Sequence, residues 1–143
     1  NISIKQAEEL YNFMEREINN HFFPDDTTHQ GTFEGVGDFR KRVYFIKIRS
    51  VMDLLQQINR RINEKLLEYP NIKKENRKYH PHLTIARAKR GKSHLSGNAG
   101  QTPYKILKDK FNNYTFGKWT LTEVVLKKSD LTPKGPIYSN LTF

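Results

Sequence analysis

Residues 80 to 87 read His80-Pro81-His82-Leu83-Thr84-Ile85-Ala86-Arg87, a run that holds two imidazoles, a hydroxyl and a closing guanidinium. Its apolar and β-branched members predict a strand over His82 to Ala88. Alternation along a strand sends His82, Thr84 and Ala86 to one face and Leu83 and Ile85 to the other. An imidazole exchanges a proton near neutral pH, and a hydroxyl beside it donates a hydrogen bond to a phosphate oxygen. Together they suit chemistry on a phosphate ester. On the residues alone two other readings stay open. His82 is then a structural histidine, or His80 and His82 are two metal ligands on a shared face. The metal reading wants a third ligand, and nearby the chain offers only the Glu75 carboxylate and no cysteine. His21 closes a helix, where an imidazolium suits the dipole, while His29 and His94 fall in loops.

The surroundings of these residues are basic. The 143 residues carry 25 Lys and Arg against 15 Asp and Glu, a net charge of +10. From Lys73 to Lys92 the cations are Lys73, Lys74, Arg77, Lys78, Arg87, Lys89, Arg90 and Lys92, with Glu75 the one acid. Clustered cations gain affinity for a polyanion by releasing its condensed counterions, so nucleic acid is the natural partner. A solvated lysine-rich loop is the plainer alternative. No apolar run reaches the ~20 residues a membrane helix needs. The absence of cysteine excludes a disulfide scaffold, a thiol nucleophile and a thiolate zinc site. There is no Gly-rich phosphate loop, serine elbow or paired-carboxylate motif. The default location is the cytoplasm.

The elements that must position the histidines follow from periodicity. Ser3 and Gln6 have capping-box spacing, and Ile4, Ala7, Leu10, Tyr11, Met14 and Ile18 recur at helical intervals, predicting a helix from Ile4 to Asn20. Thr32 to Phe39 and Val43 to Arg49 read as an antiparallel pair, with Gly35 and Gly37 suggesting a bulge. Ser50 and Asp53 open a second helix, whose apolar positions Val51, Leu54, Leu55, Ile58, Ile62 and Leu66 continue to Glu68 before Pro70. Beyond the histidine strand come a loop over Ser93 to Gln101, a helix over Pro103 to Asn112, and strands over Trp119 to Lys128 and Ile137 to Thr142. Ser129 to Tyr138 forms a turn and the start of the final strand, because Pro133-Lys134-Gly135-Pro136 is rich in turn residues. Helices alternate with hairpins, as in an α+β domain with antiparallel sheets.

Three separated segments resemble one family. His82-Leu83-Thr84-Ile85 is similar to the second His-hydrophobic-Thr-hydrophobic motif of the 2H phosphoesterases. The longer run Tyr79 to Arg87 resembles its setting in the RNA 2′,3′-cyclic phosphodiesterases, also called 2′-5′ RNA ligases. Leu126 to Tyr138 is similar to that family's C-terminal segment, and Gly35-Val36-Gly37-Asp38-Phe39 with Arg42-Val43 to its central hairpin. The resemblance spans nearly the whole chain. It implies one 2H phosphoesterase-like domain over residues 1–143, a bilobal α+β fold with antiparallel sheets around a central cleft and helices outside. It implies a metal-independent and cofactor-free opening of the cyclic phosphate to a 2′-phosphate, with the reverse joining of RNA ends through a 2′-5′ bond. The implied partners are RNAs with 2′,3′-cyclic phosphate ends, such as tRNA fragments.

By motif match His82 is a catalytic acid/base, Thr84 a catalytic residue and phosphate donor, and Arg87 a phosphate-binding cation. Strict alternation places Arg87 opposite His82, so its role requires the strand to end or bulge. Arg42, Lys89 and Arg90 are the candidate RNA contacts. The family's first His-hydrophobic-Thr motif has no counterpart here. His21 is followed by Phe22-Phe23, His29 by Gln30-Gly31, and His94-Leu95-Ser96 sits in a basic loop. The chain is therefore expected to be the N-terminally incomplete part of a longer enzyme, and by itself aggregation-prone or dimeric through its unpaired sheet edge. The alternative is a non-catalytic RNA-binding module using the same basic cleft.

Overall fold

The computed structural model describes residues 2–73, 75–87 and 103–143. It is an α+β chain that divides into two compact units: residues 1–29, 56–77 and 121–143 in one, and 30–55 and 78–120 in the other. Among the described residues no helix is long and apolar enough to cross a membrane.

The first unit begins with α1 (Ile4–Phe13). Its expected capping box is complete: Gln6 N donates to Ser3 Oγ at 3.1 Å, and Ser3 N donates to Gln6 Oε1 at 3.0 Å. These two bonds satisfy amides that a helix start would otherwise leave orphaned. Ala7, Leu10, Met14 and Ile18 are buried as the period requires, whereas Ile4, which shares the apolar pattern, is 81% exposed. The helix does not run regularly to Asn20. A π-helical turn occupies Met14–Asn19, and the short α2 (Asn20–Phe22) follows. The widened turn leads to Asn19, a buried polar residue. Its Nδ2 donates to Glu15 Oε1 and to Val124 O, and its Oδ1 accepts from Val124 N at 2.9 Å.

That bond pair explains a difference from the expected strands. Trp119 to Lys128 is not one strand: the chain forms β4 (Thr115–Leu121) and β5 (Lys127–Thr132), with 122–126 between them. Asn19 takes both backbone groups of Val124, the groups a ladder would have used. The final strand, β6 (Gly135–Asn140), starts two residues early and pairs antiparallel with β5 across Pro133 and Lys134. The long helix α3 (Met52–Leu66) ends before Pro70 and is followed by the buried Tyr69. Burial raises the Tyr69 phenol above its ordinary value, as does its bond to Glu9.

The second unit is built on a four-stranded sheet of order β3-β2-β1-β4. Its strands are β1 (His29–Phe39), β2 (Val43–Arg49), β3 (His82–Arg87) and β4, and α4 (Pro103–Phe111) precedes β4. The expected bulge is present in β1, where the register shifts between Phe33 and Val36. Gly35 sits there with a φ of 73°, a left-handed conformation that only glycine adopts without strain. The β1–β2 turn has Arg40 and Lys41 at positive φ and closes with Arg42 N donating to Phe39 O. Those signs define a type I′ turn, whose twist suits a two-residue hairpin. The loop expected over Ser93 to Gln101 lies outside the described residues.

Candidate active site

The register of β1, β2 and β3 decides which side chains meet. Paired residues share a face. His82 pairs with Lys47, Thr84 with Phe45, and Phe45 in turn with Gly37. Lys47, Phe45 and Val43 alternate along β2, so one face carries His82, Thr84, Phe45 and Lys47. Between Phe45 and Tyr44 the register shifts: Phe45 opposes Thr84, Tyr44 opposes Ala86, and Val43 opposes Arg87. Ile85 is the extra residue of a bulge, and it turns Arg87 to the side of His82 and Thr84. The obstacle that strict alternation raised against Arg87 is thereby removed. His82 and Thr84 are half-buried and Arg87 is exposed.

His82 is fixed by its neighbours. Its Nδ1 lies 2.6 Å from the His80 carbonyl oxygen. A carbonyl only accepts, so Nδ1 carries the proton and Nε2 is the nitrogen left for other work. The imidazole packs on two phenylalanines, with its centroid 4.9 Å from Phe39 and 5.1 Å from Phe45. Those two rings lie 4.5 Å apart and also contact His80, each at 5.3 Å. Phe45 is buried beneath the imidazoles. Gly37 is the reason its ring fits: a Cβ at Gly37 would stand 2.5 Å from Phe45 Cε2. Here Phe45 and Phe39 support the histidine.

Of the candidate RNA contacts, Arg42 is exposed in the β1–β2 turn, beside Val43, the partner of Arg87. Arg42 and Arg87 thus share one end of the sheet. Lys89, Arg90 and His94 lie outside the described residues. His80 and His82 have ring centroids 6.1 Å apart, and the described residues hold no group of three or more His, Cys, Asp or Glu able to bind a metal ion. Glu75, the acid of the basic run, is engaged by Arg77, whose hydrogen bonds hold its carboxyl down to about 2. Lys47 is not among the sequence candidates. Its signal is its register position opposite His82.

Comparisons with known proteins identify the family. Residues 1–141 match the family model described as the AKAP7 2′5′ RNA ligase-like domain. The chain is 37% identical over 105 residues to a protein named RNA 2′,3′-cyclic phosphodiesterase from Methanocaldococcus jannaschii, covering 72% of this chain and 56% of that relative. It is 31% identical over 114 residues to a protein of the same name from Archaeoglobus fulgidus, covering 77% and 58%. The chain therefore spans a little over half the length of these relatives. The crystal structure of TT0787 of Thermus thermophilus shares the fold, with a TM-score of 0.60 at 23% identity, over 99% of this chain and 70% of that one.

Proposed function

Since the chain belongs to the AKAP7 2′5′ RNA ligase-like domain family, we propose that the protein is an RNA 2′,3′-cyclic phosphodiesterase in which His82, Thr84 and Arg87 act on the cyclic phosphate. The observation that carries this reading is the hydrogen bond from His82 Nδ1 to the His80 carbonyl, which leaves Nε2 to exchange a proton with a reacting oxygen. Water attacks phosphorus, the bond to the ribose 3′ oxygen breaks, and the product carries a 2′-phosphate and a free 3′ hydroxyl. The attacking water gives up one proton and the departing 3′ oxygen takes one. His82 serves one of these transfers, and a second imidazole from the family's first motif completes the account. Thr84 and Arg87 stabilise charge on the non-bridging oxygens.

Replacing water by the 5′ hydroxyl of a second RNA gives a 2′-5′ bond by the same displacement. Ligation is thus part of the proposal. Cyclic-phosphate ends left by RNA cleavage, tRNA fragments among them, are the substrates in this reading, and the cytoplasm is the location. The same exposed cations, Arg42 and Arg87, would also serve a module that binds RNA without turning it over.

Product analysis separates the readings. The full-length protein, incubated with a nucleoside 2′,3′-cyclic phosphate and a chelator, is expected to yield the 2′-phosphate. A 3′-phosphate product, or RNA binding without product, contradicts the proposal. Loss of turnover on chelation would support instead a metal-dependent hydrolase using His80 and His82.

A further inference from the structure

At the edge of the sheet opposite β3, three aromatic side chains form a closed triad. Phe111 ends α4, Tyr114 lies in the turn that follows, and Phe116 is in β4. Tyr114 and Phe116 centroids are 4.9 Å apart, and Phe111 stands 5.6 Å from Tyr114 and 5.8 Å from Phe116. A cluster of this kind would ordinarily be buried. Here Tyr114 is 53% exposed and Phe116 38%. The residues around it are basic, with Lys105, Lys108, Lys110 and Lys118 against Asp109 between residues 103 and 121.

The triad is tied to the sheet face that carries His82. Trp119 stacks on Phe33 at 5.9 Å, and Phe33 pairs with Ile48, which alternation sets on the side opposite Lys47. Alternation along β4 then turns Phe116 and Lys118 to the side of Lys47 and His82. The β1 bulge supplies the junction. Gly35 N donates to Tyr114 O at 2.9 Å, and a Cβ at Gly35 would stand 2.3 Å from Asn112 O and 3.8 Å from Lys47 Cδ. The bare glycine lets segment 112–114 lie against β1, with the Lys47 side chain alongside. Across the face the order is His82 on β3, Lys47 on β2, and the triad at the far edge. Strands are about 4.8 Å apart, so the triad stands some three strand spacings from the histidine, roughly 14 Å.

We propose that Lys47 and the Phe111–Tyr114–Phe116 triad form a subsite for the single-stranded RNA that leads to the reacting phosphate, with Lys47 holding a backbone phosphate and the exposed aromatic rings stacking a base. The proposal rests on the phosphodiesterase reading and extends it from the reacting end to the RNA body. Exposed rings amid lysines are the combination by which proteins hold single strands, because every base has a stacking face and the backbone supplies the charge.

The test compares two substrates on the full-length protein: a nucleoside 2′,3′-cyclic phosphate, which fills only the site around His82, and a hexanucleotide ending in the same group. Tyr114→Ala is expected to lower kcat/KM for the hexanucleotide about tenfold and leave the nucleoside unchanged, and Lys47→Ala is expected to weaken binding of the hexanucleotide. Phe116→Leu keeps apolar bulk and serves where Tyr114→Ala disturbs folding. Equal effects on both substrates, no effect on either, or a length preference that moves with Arg40→Ala and Lys41→Ala instead would overturn the subsite. If the unmodified protein turns over neither substrate, the phosphodiesterase reading fails. The subsite is then decided by the fluorescence anisotropy of the labelled hexanucleotide, which Tyr114→Ala must weaken for the proposal to stand.

Discussion

A histidine packed against two phenylalanine rings has few rotamers to choose from, and a single carbonyl then sets which of its nitrogens is free. His82 is in that position, and the restriction favours transfer from one fixed atom. In the proposed reaction Thr84 and Arg87 act through charge on the phosphate. Thr84→Val, which removes only the hydroxyl, is expected to lower kcat/KM on a 2′,3′-cyclic phosphate about a hundredfold with little change in thermal stability. Arg87→Lys keeps the charge, loses the forked geometry, and should cost about tenfold. Steady-state kinetics check both, and unaltered rates would remove these residues from the account. The shared face of His82 and Thr84 was legible from two-residue alternation. Arg87 was legible only by resemblance, because the bulge at Ile85 is a property of the pairing with β2 and leaves no mark in β3 itself. The rings that hold His82 come from residues some forty positions upstream, beyond the reach of local spacing.

Among the elements, the capped first helix, the β1–β2 hairpin with its bulge and the second long helix follow from caps, alternation and period. The broken strand after Trp119 does not. Asn19, at the end of a π-helical turn, substitutes for a ladder partner of Val124, a contact 105 residues apart in sequence. Asparagine in a helical run reads as a neutral surface residue until its partner is known. Asn19→Ala should destabilise the fold by about 2 kcal/mol, because it leaves a half-buried N–H and C=O without partners. Denaturant unfolding is expected to show a lower midpoint with an unchanged slope. A midpoint equal to that of the parent protein would mean that the 122–126 segment is held by other means.

For the molecule as a whole, the net charge of +10 favours encounter with polyanions, and in the proposed function the sheet face sets what is recognised. Binding that neutralises about three phosphates on a hexanucleotide should weaken roughly a hundredfold for a tenfold rise in salt. Anisotropy titrations across that range check it, and a flat profile would contradict a phosphate-based interface. The antiparallel α+β class was legible in the alternation of helices and hairpins. The gathering of Lys47 and the aromatic edge onto the face of His82 was not, because it depends on which strands become neighbours. The central claim is that the Nε2 of His82 transfers a proton during opening of a 2′,3′-cyclic phosphate, and it is tested most directly by turnover of a cyclic-phosphate oligonucleotide by the full-length protein and its His82→Ala variant, with RNA affinity measured on both. His82→Ala is expected to lower kcat about a hundredfold or more with affinity retained. A variant that turns over at the parent rate would contradict it.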